Sequence, residues 1–524
     1  MTKYFLKRLL HGLVSIVIVV AIIMILIYSL MNRDQVFASD SNFTHTANNQ
    51  REAYKYRKWE EYGYLDYVPY TDWLTSQWRS GKIDEATRNA AALFGYKPEL
   101  DPEEAKPFIK EFQEYYESKG YTVVRMNAKM QGKTKKLANG GTPQYFAYKD
   151  VPLYERLAKY FAEIIQIDNI HKVEGELNGK RGLTFTLRDP VYGGDTFAPA
   201  IIGNGTKHKY LLYTNEKFPF IHQNLVSINL GTSYSVNTGI DVFTTMTQSQ
   251  GSYVKISMTF PSGLTEDSAD DLHTATYQPD SLNSEFNQQR FTDNYTNVLT
   301  VKSGMSKMGY SFTIGIISTI ISYFLGVPLG IIMARRKEKL IDKLGTIYIV
   351  FIIAVPSLAY IFLFKAIGGK IGLPTTFSMD SSSKLMYFLP VISLSLPSIA
   401  NLMKWIRRYM IDQMNSDYVK FARSGGLSEG EIFSKHILKN AIIPIIHGIP
   451  GSILFAMTGA IITERVYVVP GAGNLLTEAI NKFDNGVIVG VSLFYAILSV
   501  LAIILGDILM AFVDPRISFS SKAR

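Results

Sequence analysis

The sequence predicts an α-helical membrane bundle of six transmembrane helices carrying an inserted extracellular α+β domain. Three observations predict it. Six apolar stretches are long enough to cross a bilayer, a polar and aromatic-rich block of about 280 residues separates the first from the second, and basic residues gather at alternate connections.

Of 524 residues, 47% are hydrophobic, 19% are charged and none is cysteine. That excludes a disordered chain, a zinc or iron–sulfur site built on Cys, and an outer domain held by disulfides. The formal charge of +9 is uneven: 31 basic and 33 acidic side chains lie between Met31 and Met308, and 23 and 12 in the remainder. The excess sits beside the apolar runs, where it signals topology and not nucleic-acid binding.

A hydrocarbon core about 30 Å thick needs roughly 20 helical residues. The runs are Gly12 to Met31, Tyr310 to Met333, Leu344 to Phe364, Leu385 to Met403, Ala441 to Ile462 and Val487 to Ala511. The third to fifth carry Pro356, Pro390, Pro397, Pro444 and Pro450, which membrane bundles tolerate because neighbouring helices satisfy the freed carbonyls. The first run is longer than a signal-peptide core, so it reads as a retained anchor although Val36-Phe37-Ala38 resembles a weak cleavage site. Lys3, Lys7 and Arg8, the segments Arg335 to Lys343 and Lys404 to Lys439, and the tail after Arg516 hold 18 basic residues, against five in the two short opposite loops. Both termini are therefore expected in the cytoplasm and residues 32–308 outside. The chain divides into 1–31, the tail and first span; 32–308, the outer domain; and 309–524, a five-helix core with a cytoplasmic loop at 404–440.

Within the outer block, Asp101-Pro102-Glu103-Glu104 predicts a capped helix start, with Gly120 ending the helix. Leu153, Leu157, Tyr160, Phe161, Ile164 and Ile165 mark a second helix. Strands are expected at Leu183 to Leu187, Tyr210 to Tyr213, Tyr253 to Phe260 and Val298 to Val301. The aromatics from Tyr54 to Trp73 suit a core better than a contact surface. Asn42, Asn204 and Asn294 begin short sequons that matter only in a secretory eukaryotic host.

No catalytic constellation is present. The chain lacks a phosphate loop, H-E-x-x-H and G-x-S-x-G, and its eight histidines, His11, His45, His171, His208, His222, His273, His436 and His447, never pair at helical spacing. No metal site or bound cofactor is expected. Two ionisable residues fall in apolar runs, His447 and Asp507; Asp507 is a pathway candidate, or else approaches the inner boundary.

The segment Ser416 to Pro444 is the most informative. Ser416 is placed to cap a short helix with Tyr418, Val419, Phe421 and Ala422, Gly425-Gly426 breaks it, and Ser428-Glu429-Gly430-Glu431 opens a second helix with a capping box. Two helices meeting at a glycine bend form a protrusion that either seats in a groove of another protein or lies on its own bundle.

These residues resemble a known family. Asp417 to Ser428 (Asp417, Tyr418, Val419, Lys420, Phe421, Ala422, Arg423, Ser424, Gly425, Gly426, Leu427 and Ser428), with His436, Asn440 and Pro444, looks like the EAA loop of the peptide class of ABC importer permeases. The likeness extends through Lys7-Arg8-Leu9-Leu10, Gly326 to Gly330 and Pro356-Ser357. It continues in the outer loop Thr463 to Gly473, which holds Glu464, Pro470, Gly471 and Gly473, and ends with Asp484, Gly506-Asp507 and Asp514-Pro515-Arg516. There are departures. Lys420 and Phe421 replace the loop's first two letters, Asn485-Gly486 stands where an aromatic and a proline are usual, and Asn32-Arg33-Asp34 replaces Pro-Gly-Asp. Leu225 to Tyr234 looks like the family's short first outer segment, so the long domain reads as an addition, similar to oligopeptide permeases of low-GC Gram-positive bacteria.

The resemblance implies one permease subunit, coupled through the 417–428 loop and above all Ala422 and Gly426. Its implied partners are a homologous second permease, two ATP-binding subunits that hold ATP and Mg, and a lipid-anchored extracellular peptide-binding protein in a bacterial cell membrane. It leaves the solute open. The rival reading is a membrane-anchored extracellular receptor or cell-wall interaction protein, for which the cytoplasmic loop would be dispensable.

Overall fold

A computed structural model describes residues 2–513 except 47, 96, 128–129, 132–135, 138–142, 168–179, 190–193, 196, 205–209, 215–218, 222–225, 255, 260–264, 271–274, 278–300, 303 and 379–382. The Asn294 sequon, Asp514-Pro515-Arg516, most of the Val298 to Val301 strand, and His171, His208, His222 and His273 lie outside the described residues.

The chain opens with α1 (Thr2–Leu30), a single apolar helix of 29 residues. The insert follows, with α2 (Asn48–Glu61), α3 (Tyr70–Arg79), α4 (Lys106–Ser118), α5 (Leu153–Glu163) and α6 (Val242–Thr247). Its strands β1 (Leu65–Pro69), β2 (Thr122–Met126) and β3 (Gln144–Asp150) form an antiparallel sheet in the order β1-β3-β2, with Val68 opposite Ala147 and Val124 opposite Phe146. Alternation along β3 supplies both faces. Tyr145 and Ala147 pack with Tyr70, Trp73, Leu74 and Phe112 from α3 and α4, whereas Phe146 packs with Trp59, Tyr62, Leu65 and Tyr67 on the α2 side. The Tyr54 to Trp73 aromatics are thus mainly core. A second antiparallel sheet contains β4 (Gly182–Thr186), β5 (Ala200–Asn204), β6 (Tyr210–Thr214) and β7 (Pro219–Ile221), in the order β7-β6-β5-β4.

Several expectations shift. Asp101 does not cap α4, which starts at Lys106; its carboxylate instead receives Arg125 Nη1 and Nη2 at 2.8 and 2.7 Å and the Gly95 amide at 2.8 Å, so a tertiary ion pair wins over the local cap. Gly120 does end the α4 turn, at φ +78°. Ile165 leaves the helix and joins a strand, Ile165–Ile167, paired with Val226–Ile228. The Tyr253 to Phe260 run divides into Tyr253–Val254 and Ile256–Thr259, and the former pairs with Val301–Lys302.

The remaining helices are α7 (Lys307–Arg335), α8 (Leu340–Ala354), α9 (Ser357–Lys370), α10 (Phe388–Met414), α11 (Asp417–Ser424), α12 (Ile449–Tyr467), α13 (Ala472–Asn481) and α14 (Asn485–Val513). Among the described residues, five helices are long and apolar enough to cross a membrane, or six if the bent pair α8 and α9 counts as one span. This is a helical fold built to span a membrane.

The third apolar run is therefore not one straight helix. Val355 and Pro356 are extended, with ψ of 127° and 134°, and the axis turns by 106° because proline clashes with a helical predecessor and donates no N–H. The fifth run also breaks. Pro444 and Pro450 stand in the first turns of separate helices, Ile443–His447 and α12, where a missing N–H costs least. Pro328 and Pro397, by contrast, stay inside α7 and α10. Those two helices pack closely: a Cβ on Gly326 would come within 2.9 Å of Leu402 Cβ, and one on Gly330 within 2.8 Å of Ile406 Cγ2. Glycines one turn apart let the backbones approach, which is where van der Waals packing drives helix association in lipid.

Candidate functional site

The loop predicted to protrude is built on the end of α10. Val419 and Ala422 turn inward and join Ile406, Met410, Ile432 and Ile437 in one buried cluster. The opposite face of α11 carries Phe421, 80% exposed, with Tyr418 and Leu427 also exposed at its margins. Ser416 occupies the N-cap position but its side chain accepts no hydrogen bond from α11; its Oγ donates to the Gln413 carbonyl at 2.6 Å instead.

Helix α11 ends in a Schellman motif. The Leu427 amide donates to the Ala422 carbonyl at 3.3 Å and the Gly426 amide to that of Arg423 at 3.1 Å, which places Gly426 at φ +81°. A Cβ on Gly426 would meet nothing within 4 Å, so the requirement for glycine is conformational. Across the bend, Arg423 Nε and Nη2 donate to the two oxygens of Glu429 at 2.6 and 3.1 Å, holding that carboxyl below its usual range. The expected capping box is present, with the Glu431 amide on Ser428 Oγ and the Ser428 amide on Glu431 Oε2; Ser428 likewise lowers the Glu431 carboxyl. The second helix is not a plain α-helix. Residues Ile432–Leu438 form a π-helix, and its wider turn places Ile432 and Ile437, five apart, together in the core.

The second motif lies at the far end of the bundle. Thr463 to Tyr467 belong to α12, so the expected outer loop shrinks to Val468 through Gly471. Glu464 is fully buried and receives Ser311 Oγ at 2.5 Å and the Asn474 amide at 3.0 Å, while Ser311 Oγ also accepts the Ala472 amide at 2.8 Å. A Cβ on Gly471 would fall on the Glu464 carboxylate, and one on Gly473 would come within 2.9 Å of Ile461 Cα. Glycines there make room for the carboxylate, with Pro470 half-buried beside them. The unit locks α13 to α12 and α7.

Asp507 is buried in α14 and paired with Arg8 Nη2 of α1 at 2.9 Å. It is not among the residues lining the cavities described below.

A description of the family "Binding-protein-dependent transport system inner membrane component" matches residues 326–519. The oligopeptide transport system permease protein AmiC of Streptococcus pneumoniae is 34% identical over 532 residues, covering 100% of this chain and 99% of that protein. The chain belongs to this permease family. The dipeptide transport system permease protein DppB of Lactococcus lactis is 31% identical over 43% of the chain and 73% of its own length. A solved amino acid ABC transporter chain is 16% identical, with a TM-score of 0.31 over 40% of this chain and 92% of that one, a likeness that carries no argument.

Two parts of the permease escaped the sequence reading. Asp342 receives Arg407 Nε and Nη2 at 2.6 and 2.8 Å and the Glu338 amide at 2.8 Å, tying the start of α8 to α10. Asp484 accepts Ser233 Oγ and the amides of Tyr234, Ser235 and Val236, joining the insert to α14. The acidic residues are visible in sequence, but their partners stand 65 and about 250 positions away, and nothing local announces them.

Proposed function

We propose that this permease is one of two homologous membrane subunits of an ABC importer for oligopeptides. Separate ATP-binding subunits hydrolyse ATP with Mg and dock on the 417–428 loop, and a lipid-anchored binding protein delivers peptide from outside. Both termini and the loop at 404–440 face the cytoplasm, residues 32–308 form the outer α+β domain, and residues 309–524 form the moving core. The peptide assignment draws on the full-length likeness to a protein named for oligopeptide transport.

The observation that carries the coupling role is the two-faced helix α11. Val419 and Ala422 fasten it to its own bundle, while Phe421 is left 80% exposed beside Tyr418 and Leu427. A large exposed aromatic rimmed by polar groups is a contact for a partner. Force applied at Phe421 passes through Val419 and Ala422 to α10, whose residues Ile406 and Met410 share that cluster. ATP-driven movement of the docked subunits then re-poses the spans and alternates access.

The chain has no cysteine, so Phe421→Cys gives it a single thiol for crosslinking in native membranes. The expected product joins this chain to an ATP-hydrolysing subunit, and Phe421→Asp abolishes peptide uptake while the chain still reaches the membrane. Crosslinks to no ATPase, with uptake intact in Phe421→Asp, would refute the coupling role of this loop, whereas absence of peptide uptake by the unsubstituted chain with its partners would favour the receptor reading.

A further inference from the structure

Midway along α7 and α10, beside the start of α12, lies a cleft of about 520 Å³. Its wall includes Thr319, Ser398 and Asn401, together with Gly448, Gly451 and Phe455, and none of its lining residues is charged. Asn401 is exposed at the centre of α10, and neither its amide nor the Ser398 hydroxyl has a side-chain hydrogen-bond partner among the described residues. Thr319 Oγ1 donates to the Gly315 carbonyl at 2.8 Å and keeps its lone pairs for another donor. An adjoining cavity of about 470 Å³ shares Gly448, Gly451 and Phe455 and is lined by His447 and Tyr495. The Nδ1 of the one and the hydroxyl of the other are buried with no hydrogen-bond partner among the described residues.

Unpaired amides and hydroxyls at this depth are costly against hydrocarbon, so such a surface faces water, solute or protein. Size and chemistry select among them. Cavities of a few hundred cubic ångströms suit a small ligand held by a few placed polar groups on apolar walls. Asn offers both donors and an acceptor, and Ser and Thr offer one donor with acceptors, which matches the N–H and C=O that every peptide unit carries. With no charge in the wall, an acidic or basic side chain is neither trapped nor repelled.

Resting on the importer reading above, we propose that this cleft is a mid-membrane station for the main chain of the transported peptide, with Asn401 as its principal hydrogen-bonding residue and Ser398 and Thr319 as accessories.

The test uses the complete importer in liposomes. Asn401→Cys places the only thiol in this chain, and a charged, water-soluble methanethiosulfonate is expected to label it, more slowly when a transported peptide is in excess. Asn401→Leu is expected to lower maximal uptake roughly two- to tenfold, the weight of one hydrogen bond, and equally for acidic, basic and neutral peptides of one length. A thiol unlabelled with and without ATP, unchanged uptake in Asn401→Leu, or a loss confined to peptides of one charge would each overturn the proposal. So would failure of Asn401→Leu to co-purify with the second permease, since that outcome makes the cleft a subunit interface. Absence of peptide uptake by the unsubstituted importer would instead refute the importer reading itself.

Discussion

Replacing Asp484 by Ala is expected to loosen the insert from the membrane core. The carboxylate accepts Ser233 Oγ at 2.6 Å, the amides of Tyr234 and Ser235 at 2.9 Å and that of Val236 at 2.8 Å, and it also accepts the Val487 amide at 3.1 Å in the first turn of α14. Successive amides converging on one anion form a nest. A buried donor stripped of its acceptor costs about 1–3 kcal/mol, and a lost N-cap about 1 kcal/mol. Ser235 Oγ on the Lys482 carbonyl at 2.8 Å, Asn485 Nδ2 on the Tyr64 hydroxyl at 2.8 Å, and the stacked rings of Tyr62 and Tyr234 remain to hold part of the junction. The net loss is therefore placed at roughly 3–5 kcal/mol, the range seen when one member of a buried charged network is removed. Three of the four tryptophans, Trp59, Trp73 and Trp78, lie in the insert, so tryptophan fluorescence during heating in lipid nanodiscs reads this region. At roughly 2–4 °C per kcal/mol for a unit of this size, the transition should fall by about 10 °C, with faster proteolysis near residues 233–237. Coincident melting curves and digestion patterns for Asp484→Ala and the parent chain would refute the reasoning.

Further outcomes are expected elsewhere. Gly426→Val forces a β-branched residue to φ +81°, costing about 1–2 kcal/mol at the bend; peptide uptake by the assembled importer should fall more than with Gly426→Ala, and equal uptake by both variants and the parent would contradict the conformational explanation. Gly471→Ala drives its methyl into the Glu464 carboxylate and should lower the melting temperature, whereas the same change in a Glu464→Ala background should cost less; additive losses would show that the clash is not the cause. Asp507→Asn removes the carboxylate charge that faces Arg8, itself 42% exposed, which predicts a destabilisation of about 0.5–1.5 kcal/mol that Arg8→Gln in the same chain partly cancels. Arg423 holds the Glu429 carboxyl below its usual range, so this pair supports the bend above the ordinary carboxylate pKa and the support is lost as pH falls through the depressed value. Amide exchange at Gly426 and Leu427, corrected for its intrinsic pH dependence, should show increased opening on acidification, and Glu429→Gln should reduce that response, leaving the part due to Glu431.

What could be read from the sequence was local. Length and hydropathy located α1, α7, α10 and α14, the Ser428 and Glu431 spacing gave the capping box, and two adjacent glycines marked the bend. Local patterns failed where a distant group competed for the same atoms. Asp101 reads as a helix cap but serves Arg125, and Ser416 has a cap's position while its hydroxyl turns back to Gln413. The third run reads as one span that tolerates Pro356, and the 106° turn also depends on the packing of α9 against α10 and α12, where Gly368 lies on Leu389 and Tyr360 and Ile361 join Leu389 and Val466 in one core. At the loop, sequence singled out Ala422 and Gly426 together. The structure separates them, with one side chain packed into its own bundle and the other residue a backbone bend, and it leaves Phe421 as the outward group.

The insert and the departure at Asn485-Gly486 explain each other. A Cβ on Gly486 would collide with the Thr232 carbonyl, so proline or any residue with a side chain is excluded while that segment lies where it does. Gly490, one turn on, faces the Leu230 carbonyl and Val242 in the same way. Asn485 meanwhile reaches the Tyr64 hydroxyl, a contact that exists only because the insert exists. Leu230 to Tyr234, the end of the Leu225 to Tyr234 segment that looks like the family's short outer piece, is thus pressed against the beginning of α14, and the larger domain is fastened through it by Asp484 and the Tyr62–Tyr234 stack. Movement of α14 during transport must then carry the root of the insert with it or break this clamp. Four hydrogen bonds from the insert to one carboxylate favour the first course, so the root of the insert moves with the last span.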